Sequence, residues 1–77
     1  MDLITRVIEV LSENLGIEEK NISTDSELEA DLNMDGLDKI EIVFALEEEF
    51  GISLPEEEMD ACTTVAEVVN MIQHAIE

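Results

Sequence analysis

Leu3, Ile4, Val7, Ile8, Leu11 and Leu15 recur at intervals of three and four, with Arg6, Glu9 and Glu13 opposite them. In a helix of about 3.6 residues per turn this spacing gathers the apolar side chains on one stripe, so it predicts an amphipathic helix over 3–15. Gly16 ends it, where a left-handed cap residue is commonest. Ile42, Val43, Leu46 and Phe50 predict a second helix over 36–50 with those side chains inward and Leu37, Ile40 and Phe44 nearer the rim. Asp35 is its predicted N-cap, Asp38 sets a negative charge at the positive end of the helix dipole, and Gly51 closes it. Thr64 and Glu67 have the spacing of a capping box ahead of Val65, Val68, Val69, Ile72 and Ile76, which predicts a last helix over 65–76.

Between the first two helices, residues 17–34 carry turn formers (Asn21, Ser23, Thr24, Asp25, Ser26) and isolated apolar anchors at Ile17, Ile22, Leu28 and Leu32. They read as a long ordered loop pinned by those anchors. Leu54 precedes a proline and is driven out of helical geometry, so Ile52-Ser53-Leu54 is extended and Pro55 suits the first turn of a short helix over 55–60. Alternating strand patterns are lacking, and Asp35-Gly36 is flanked by helical spacing rather than by β-rich runs. The expected fold is all-α: a small four-helix bundle, three helices longer and one short, with a long first loop and residues 1–77 as one domain.

Composition narrows the partners. A chain of 77 residues buries only ~60–65% of the surface its unfolded form exposes, so its stability margin is thin. Twenty-one acidic residues face three basic ones, a net charge of −18. That balance argues against nucleic acid or anionic lipid and towards basic protein surfaces, while 45% apolar residues are too many for a disordered acidic tail. Crowded carboxylates are also expected to hold raised pKa values through mutual repulsion. Cys62 has no second cysteine to pair with, no signal peptide pattern opens the chain, and the longest apolar run, Ile42 to Leu46, falls far short of the ~20 residues of a bilayer span. A soluble, cytoplasmic protein is the expectation. Cys62 reads as a small buried hydrophobe and His74 as a dipole partner in the last helical turn; no Ser/His/Asp or Cys/His set accompanies them, so no catalytic residue is expected and the chain is not read as an enzyme.

Asp31-x-Asn33-x-Asp35-Gly36 matches the first half of an EF-hand calcium loop, yet the twelfth position, which needs a bidentate glutamate, is Ile42, and no second loop pairs with it. No metal site is expected beyond weak, nonspecific cation binding.

The tetrad Asp35-Gly36-Leu37-Asp38, running into Ile40-Glu41-Ile42-Val43 and Ala45-Leu46-Glu47-Glu48-Glu49-Phe50, resembles the modification site and recognition helix of acyl carrier proteins. Ile52-Ser53-Leu54-Pro55 and Thr63-Thr64-Val65 fit the same family, and the resemblance covers nearly the whole chain. It implies a carrier that presents thioester-linked acyl intermediates on a 4′-phosphopantetheine arm to fatty-acid or polyketide biosynthetic enzymes. In that family a serine takes the arm from coenzyme A under a phosphopantetheinyl transferase; the matching position here is Gly36, which has no side-chain oxygen. An introduced substitution, a natural loss in a carrier-like interaction or regulatory domain, and a modified serine written as glycine all fit, and the intact flanking residues favour a carrier. The resemblance further implies a partner-facing surface of Asp35, Leu37, Asp38, Glu41, Phe44, Glu47 and Glu48. An acyl pocket near Leu46, Phe50, Cys62, Val68 and Ile72 is implied too, in a monomer that docks on basic enzyme surfaces.

Overall fold

The structure, a computed structural model, describes residues 2–77. Asp2 opens helix α1 (Leu3–Leu15) by accepting the Thr5 N–H on its carboxylate at 2.7 Å, and Gly16 ends it at φ +68°, its N–H donating to the Ser12 carbonyl. A residue with a Cβ is strained in that left-handed conformation, which is why a glycine stands there. Val7, Val10 and Leu11 are the buried face, and Ile4 stays 43% exposed.

The loop that follows contains a single 3-10 turn, Glu19–Asn21, that no apolar periodicity announced. Ile22, Leu28 and Leu32 are buried anchors as expected, Ile17 is half-buried, and Met34 is a further anchor. Asn33, at φ +58°, turns the chain between the buried side chains of Leu32 and Met34; asparagine is among the few residues that enter this region at low cost.

Helix α2 spans Gly36–Phe50, with Ile42, Val43 and Leu46 buried and Leu37, Ile40 and Phe44 at the exposed edge. Phe50 departs from its expected inward position and is half-buried. The Arg6 guanidinium lies 4.5 Å from its ring centroid and also meets the Glu49 carboxylate at 3.2 Å, so the ring is covered at the rim by a cation from α1. Pro55 departs by one position. Its ψ of 140° is extended, so it is the N-cap of the short helix α3 (Glu56–Asp60), which buries Met59.

Helix α4 (Val65–Ile76) buries Val65, Val68, Met71 and Ile72. Its start is closed by the long loop: Leu28 N–H donates to the Thr63 carbonyl, and Val65 and Ala66 N–H donate to the Ser26 and Thr24 carbonyls at 3.0 and 2.9 Å. The Glu27–Thr64 contact there is the isolated bridge, and no strand occurs among the described residues. The helices thus share a core to which α1, α2, α3, α4 and the loop all contribute, each fully buried Leu or Ile adding ~1.5–3 kcal/mol of apolar burial. The expected all-α bundle is the fold found. Among the described residues no helix is long and apolar enough to cross a membrane.

Candidate functional site

The first turn of α2 is fixed by two carboxylates. Asp35 is extended at φ −107°, its Oδ1 accepts the Asp38 N–H at 2.8 Å, and Asp38 Oδ2 accepts the Asp35 N–H at 3.2 Å. This reciprocal capping box goes beyond the charge–dipole role expected of Asp38. The Gly36 and Leu37 N–H groups find no protein acceptor among the described residues. Free donors at the positive end of a helix favour an anion there. Gly36 itself lies outside the left-handed region, and a Cβ added to it meets no atom within 4 Å. Its backbone therefore suits any L residue.

Downstream of that turn, Leu37, Glu41, Phe44 and Glu48 are exposed at helical spacing, Leu37 at 67% and Phe44 at 59%. Of the other residues expected on the partner face, Asp35 and Asp38 cap the helix. Glu47 is half-buried, its Oε2 accepting the Leu54 N–H at 2.8 Å and so anchoring the extended segment before Pro55. The three cations are engaged with acids off this stripe: Arg6 with Glu49, Lys20 with Glu18 and Lys39 with Glu29. The stripe thus keeps its negative charge.

An open cleft of about 250 Å³ begins at Gly36, between α2 and α3. Ile40, Val43 and Met59 make it apolar; Lys39, Glu56 and Asp60 carry its charges. A second cleft of about 240 Å³ runs on towards Cys62, lined by Glu27, Glu29, Ala30 and Thr63, and shares Lys39 and Asp60 with the first. A third, shallower one lies between α3 and α4 beside Cys62, Asn70 and the exposed His74.

Of the residues expected around an acyl chain, Leu46, Val68 and Ile72 are fully buried in the core, Phe50 is half-buried under Arg6, and Cys62 is half-buried on the second and third clefts. The cleft at residue 36 uses other side chains. Ile40 and Val43, expected at the rim and in the core respectively, share the helical face of residue 36 at four and seven positions beyond it, a spacing that could have grouped them; Met59, from a five-residue helix, carried no periodic signal.

Burial pushes the Cys62 thiol above its ordinary value, with Glu67 and Glu58 adding to the shift and Lys39 opposing it, and its Sγ donates to the Glu58 carbonyl at 3.4 Å. The thiol is therefore held in its protonated form at neutral pH. Asp2 and Glu29 run against the expected crowding effect. The Thr5 hydrogen bonds lower the Asp2 carboxyl, and the Lys39 ammonium, by hydrogen bond and charge, lowers that of Glu29. A near partner outweighs diffuse repulsion.

The half EF-hand loop spends its carboxylates locally: Asp31 Oδ2 accepts the Glu27 N–H at 2.7 Å, and Asp35 caps α2. Among the described residues no three His, Cys, Asp or Glu side chains converge as metal ligands.

The helix entrance, its free N–H groups and the open space at the residue 36 Cβ suit a phosphate-linked arm, but Gly36 lacks the oxygen that would bind it covalently. The residue present does not fit the group, although the backbone around it does. A family model described as a phosphopantetheine attachment site matches residues 5–72, which include this entrance, the α2 stripe and most of α4. The chain therefore belongs to the phosphopantetheine attachment site family, the carriers whose cofactor is 4′-phosphopantetheine and which interact with biosynthetic enzymes.

Proposed function

We propose that residues 1–77 act as one monomeric, cytoplasmic acyl carrier domain of fatty-acid or polyketide synthesis, without catalytic activity of its own. Thioester-linked acyl intermediates would be presented from position 36, which Gly36 as it stands keeps unmodified. The observation that carries this reading is the turn at 35–38: a capped helix entrance with free N–H groups and unfilled space where a serine side chain would project.

Partners of this reading are basic surfaces on synthase enzymes and on a phosphopantetheinyl transferase. They would dock on Leu37, Glu41, Phe44 and Glu48, with Asp35, Asp38 and Glu47 adding field from half-committed carboxylates. Exposed ion pairs are worth ~0–1 kcal/mol each, so such encounters are fast, weak and salt-sensitive, as a shuttle requires.

Intact mass after incubation with coenzyme A and a phosphopantetheinyl transferase tests the proposal. The protein as it stands keeps its mass, and the Gly36→Ser variant gains the arm. A folded Gly36→Ser variant that stays unmodified would overturn the carrier reading.

A further inference from the structure

Asp35 is followed by a glycine, and both residues are exposed. At an aspartyl bond the nitrogen of the next residue can attack the aspartate's own carboxyl and close a five-membered ring. A side chain on that next residue crowds the ring, and glycine has none. Of the six aspartates, four have the following nitrogen tied down: the Ser26, Leu32, Lys39 and Ala61 N–H groups donate to the Ser23, Glu27, Asp35 and Glu57 carbonyls, each at 3.1 Å. Asp2 is followed by the branched Leu3. Asp35 alone precedes a nitrogen that is both unhindered and without a protein acceptor among the described residues.

The backbone there also stands part-way to the ring. With Asp35 at ψ −174°, the Gly36 nitrogen is gauche to the Asp35 Cβ, and a turn of that one torsion brings the two into line. No neighbouring heavy atom lies within 4 Å of where a residue 36 Cβ would be, so the peptide has room to turn. Two bonds hold it back: Asp35 Oδ1 accepts the Asp38 N–H at 2.8 Å, and the Asp35 carbonyl accepts the Lys39 N–H at 3.1 Å. Both belong to the first turn of a helix, where ends fray.

We infer that Asp35 is a site of spontaneous isomerisation, passing through a cyclic imide with the Gly36 nitrogen to an isoaspartyl link. The Gly36 nitrogen bonds to Cγ of the protonated carboxyl, and the carboxyl hydroxyl leaves with the amide proton as water. Water then opens the ring at either carbonyl. Addition at Cγ restores aspartate; addition at the main-chain carbonyl breaks its bond to nitrogen, leaving the chain linked through Cγ beside a free α-carboxylate. No co-reactant other than water is needed, and the full cycle leaves the mass unchanged. The new link makes the main chain one carbon longer between residues 35 and 36, so the reciprocal cap with Asp38 is lost. The inference goes beyond the carrier reading and does not depend on it.

The folded chain, held at physiological temperature in water enriched in heavy oxygen and then digested in ordinary water, tests it. Cleavage after Lys20 and Lys39 releases residues 21–39, which carry Asp25, Asp31, Asp35 and Asp38 together. Electron-transfer fragmentation then reads isoaspartate and heavy oxygen at each. Both should accumulate at residue 35 ahead of the other three. Gly36→Ala fits the open space, and it should lose the reaction at 35, as should Gly36→Ser. Three results would overturn the inference: no isoaspartate at 35 in the folded chain over the time in which the free 21–39 peptide converts, conversion of Asp25 as fast as Asp35, or undiminished conversion in both Gly36 variants.

Discussion

Helices α2 and α4 begin with the same device, a capping box, and end up with different entrances. At α4, Thr64 and Glu67 cap each other's N–H groups while the long loop lays the Ser26 and Thr24 carbonyls over the Val65 and Ala66 N–H groups. At α2, Asp35 and Asp38 close the same reciprocal pair, and nothing in the chain covers the next two N–H groups among the described residues. A local sequence signal starts both helices; tertiary packing decides which start is spent on the fold and which stays available. The chain thus keeps one helix entrance for stability and leaves the other to its surroundings.

Side-chain truncation beside each entrance probes this difference with the largest expected effect. Leu28, fully buried in the loop that closes α4, should cost ~2–5 kcal/mol when cut to alanine. Leu37, 67% exposed at the open entrance, should cost within about 0.5 kcal/mol in the same urea titration and instead weaken association with a partner enzyme. Equal losses of stability would mean that the α2 entrance is packed in solution, and the contrast would fail.

That contrast also marks the limit of what was legible in the sequence. The bounds of α1, α2 and α4 followed from apolar spacing and from caps at Gly16, Asp35, Gly51 and Thr64, because those signals are local. Met34, the 3-10 turn and the loop carbonyls over α4 were not legible, since each depends on where a distant segment comes to rest. For the candidate site, the Asp35 cap and the rim positions of Leu37 and Phe44 were visible as spacing, while the attachment point and the partner face came only from the family resemblance. The cleft was not, because Met59 and Asp60 reach it through the approach of a short helix, and Lys39 gains its place only by meeting Glu29 from ten residues away.

The glycines sharpen the comparison at smaller amplitude. Gly51 caps the closed end of α2 at φ +65°, so Gly51→Ala should destabilise by ~1–2 kcal/mol. Gly36 has a backbone open to any L residue and free space at its Cβ, so Gly36→Ala should stabilise by up to ~1 kcal/mol, less for a frayed first turn. Opposite signs in one thermal series are the expected outcome. A loss at both positions would show that the entrance at 36 needs glycine for its shape, which would also count against a serine there.

The smallest effect comes from the ion pair that links the two entrances. Glu29 belongs to the loop closing α4, Lys39 to α2. The hydrogen bond and charge of Lys39 hold the Glu29 carboxyl below its ordinary 4.5, so its contribution to stability is present above pH 4.5 and is lost as pH falls through the folded value. The same bond raises Lys39 above its ordinary 10.5, so that contribution is complete below pH 10.5 and is lost as pH rises through the folded value. The alkaline side is shared with Cys62, whose thiol burial lifts above 9.0, so the folded state also loses ground there as the unfolded thiol ionises first. Cys62 and the lowered Asp2 are both common to parent and Glu29→Gln, so both cancel in the difference between the two proteins. Melting temperatures of the parent and Glu29→Gln should differ by a constant amount near neutral pH and converge in acid. A gap that persists unchanged into strong acid would assign the contact to packing of the Lys39 stem rather than to charge, leaving the two entrances joined by shape alone.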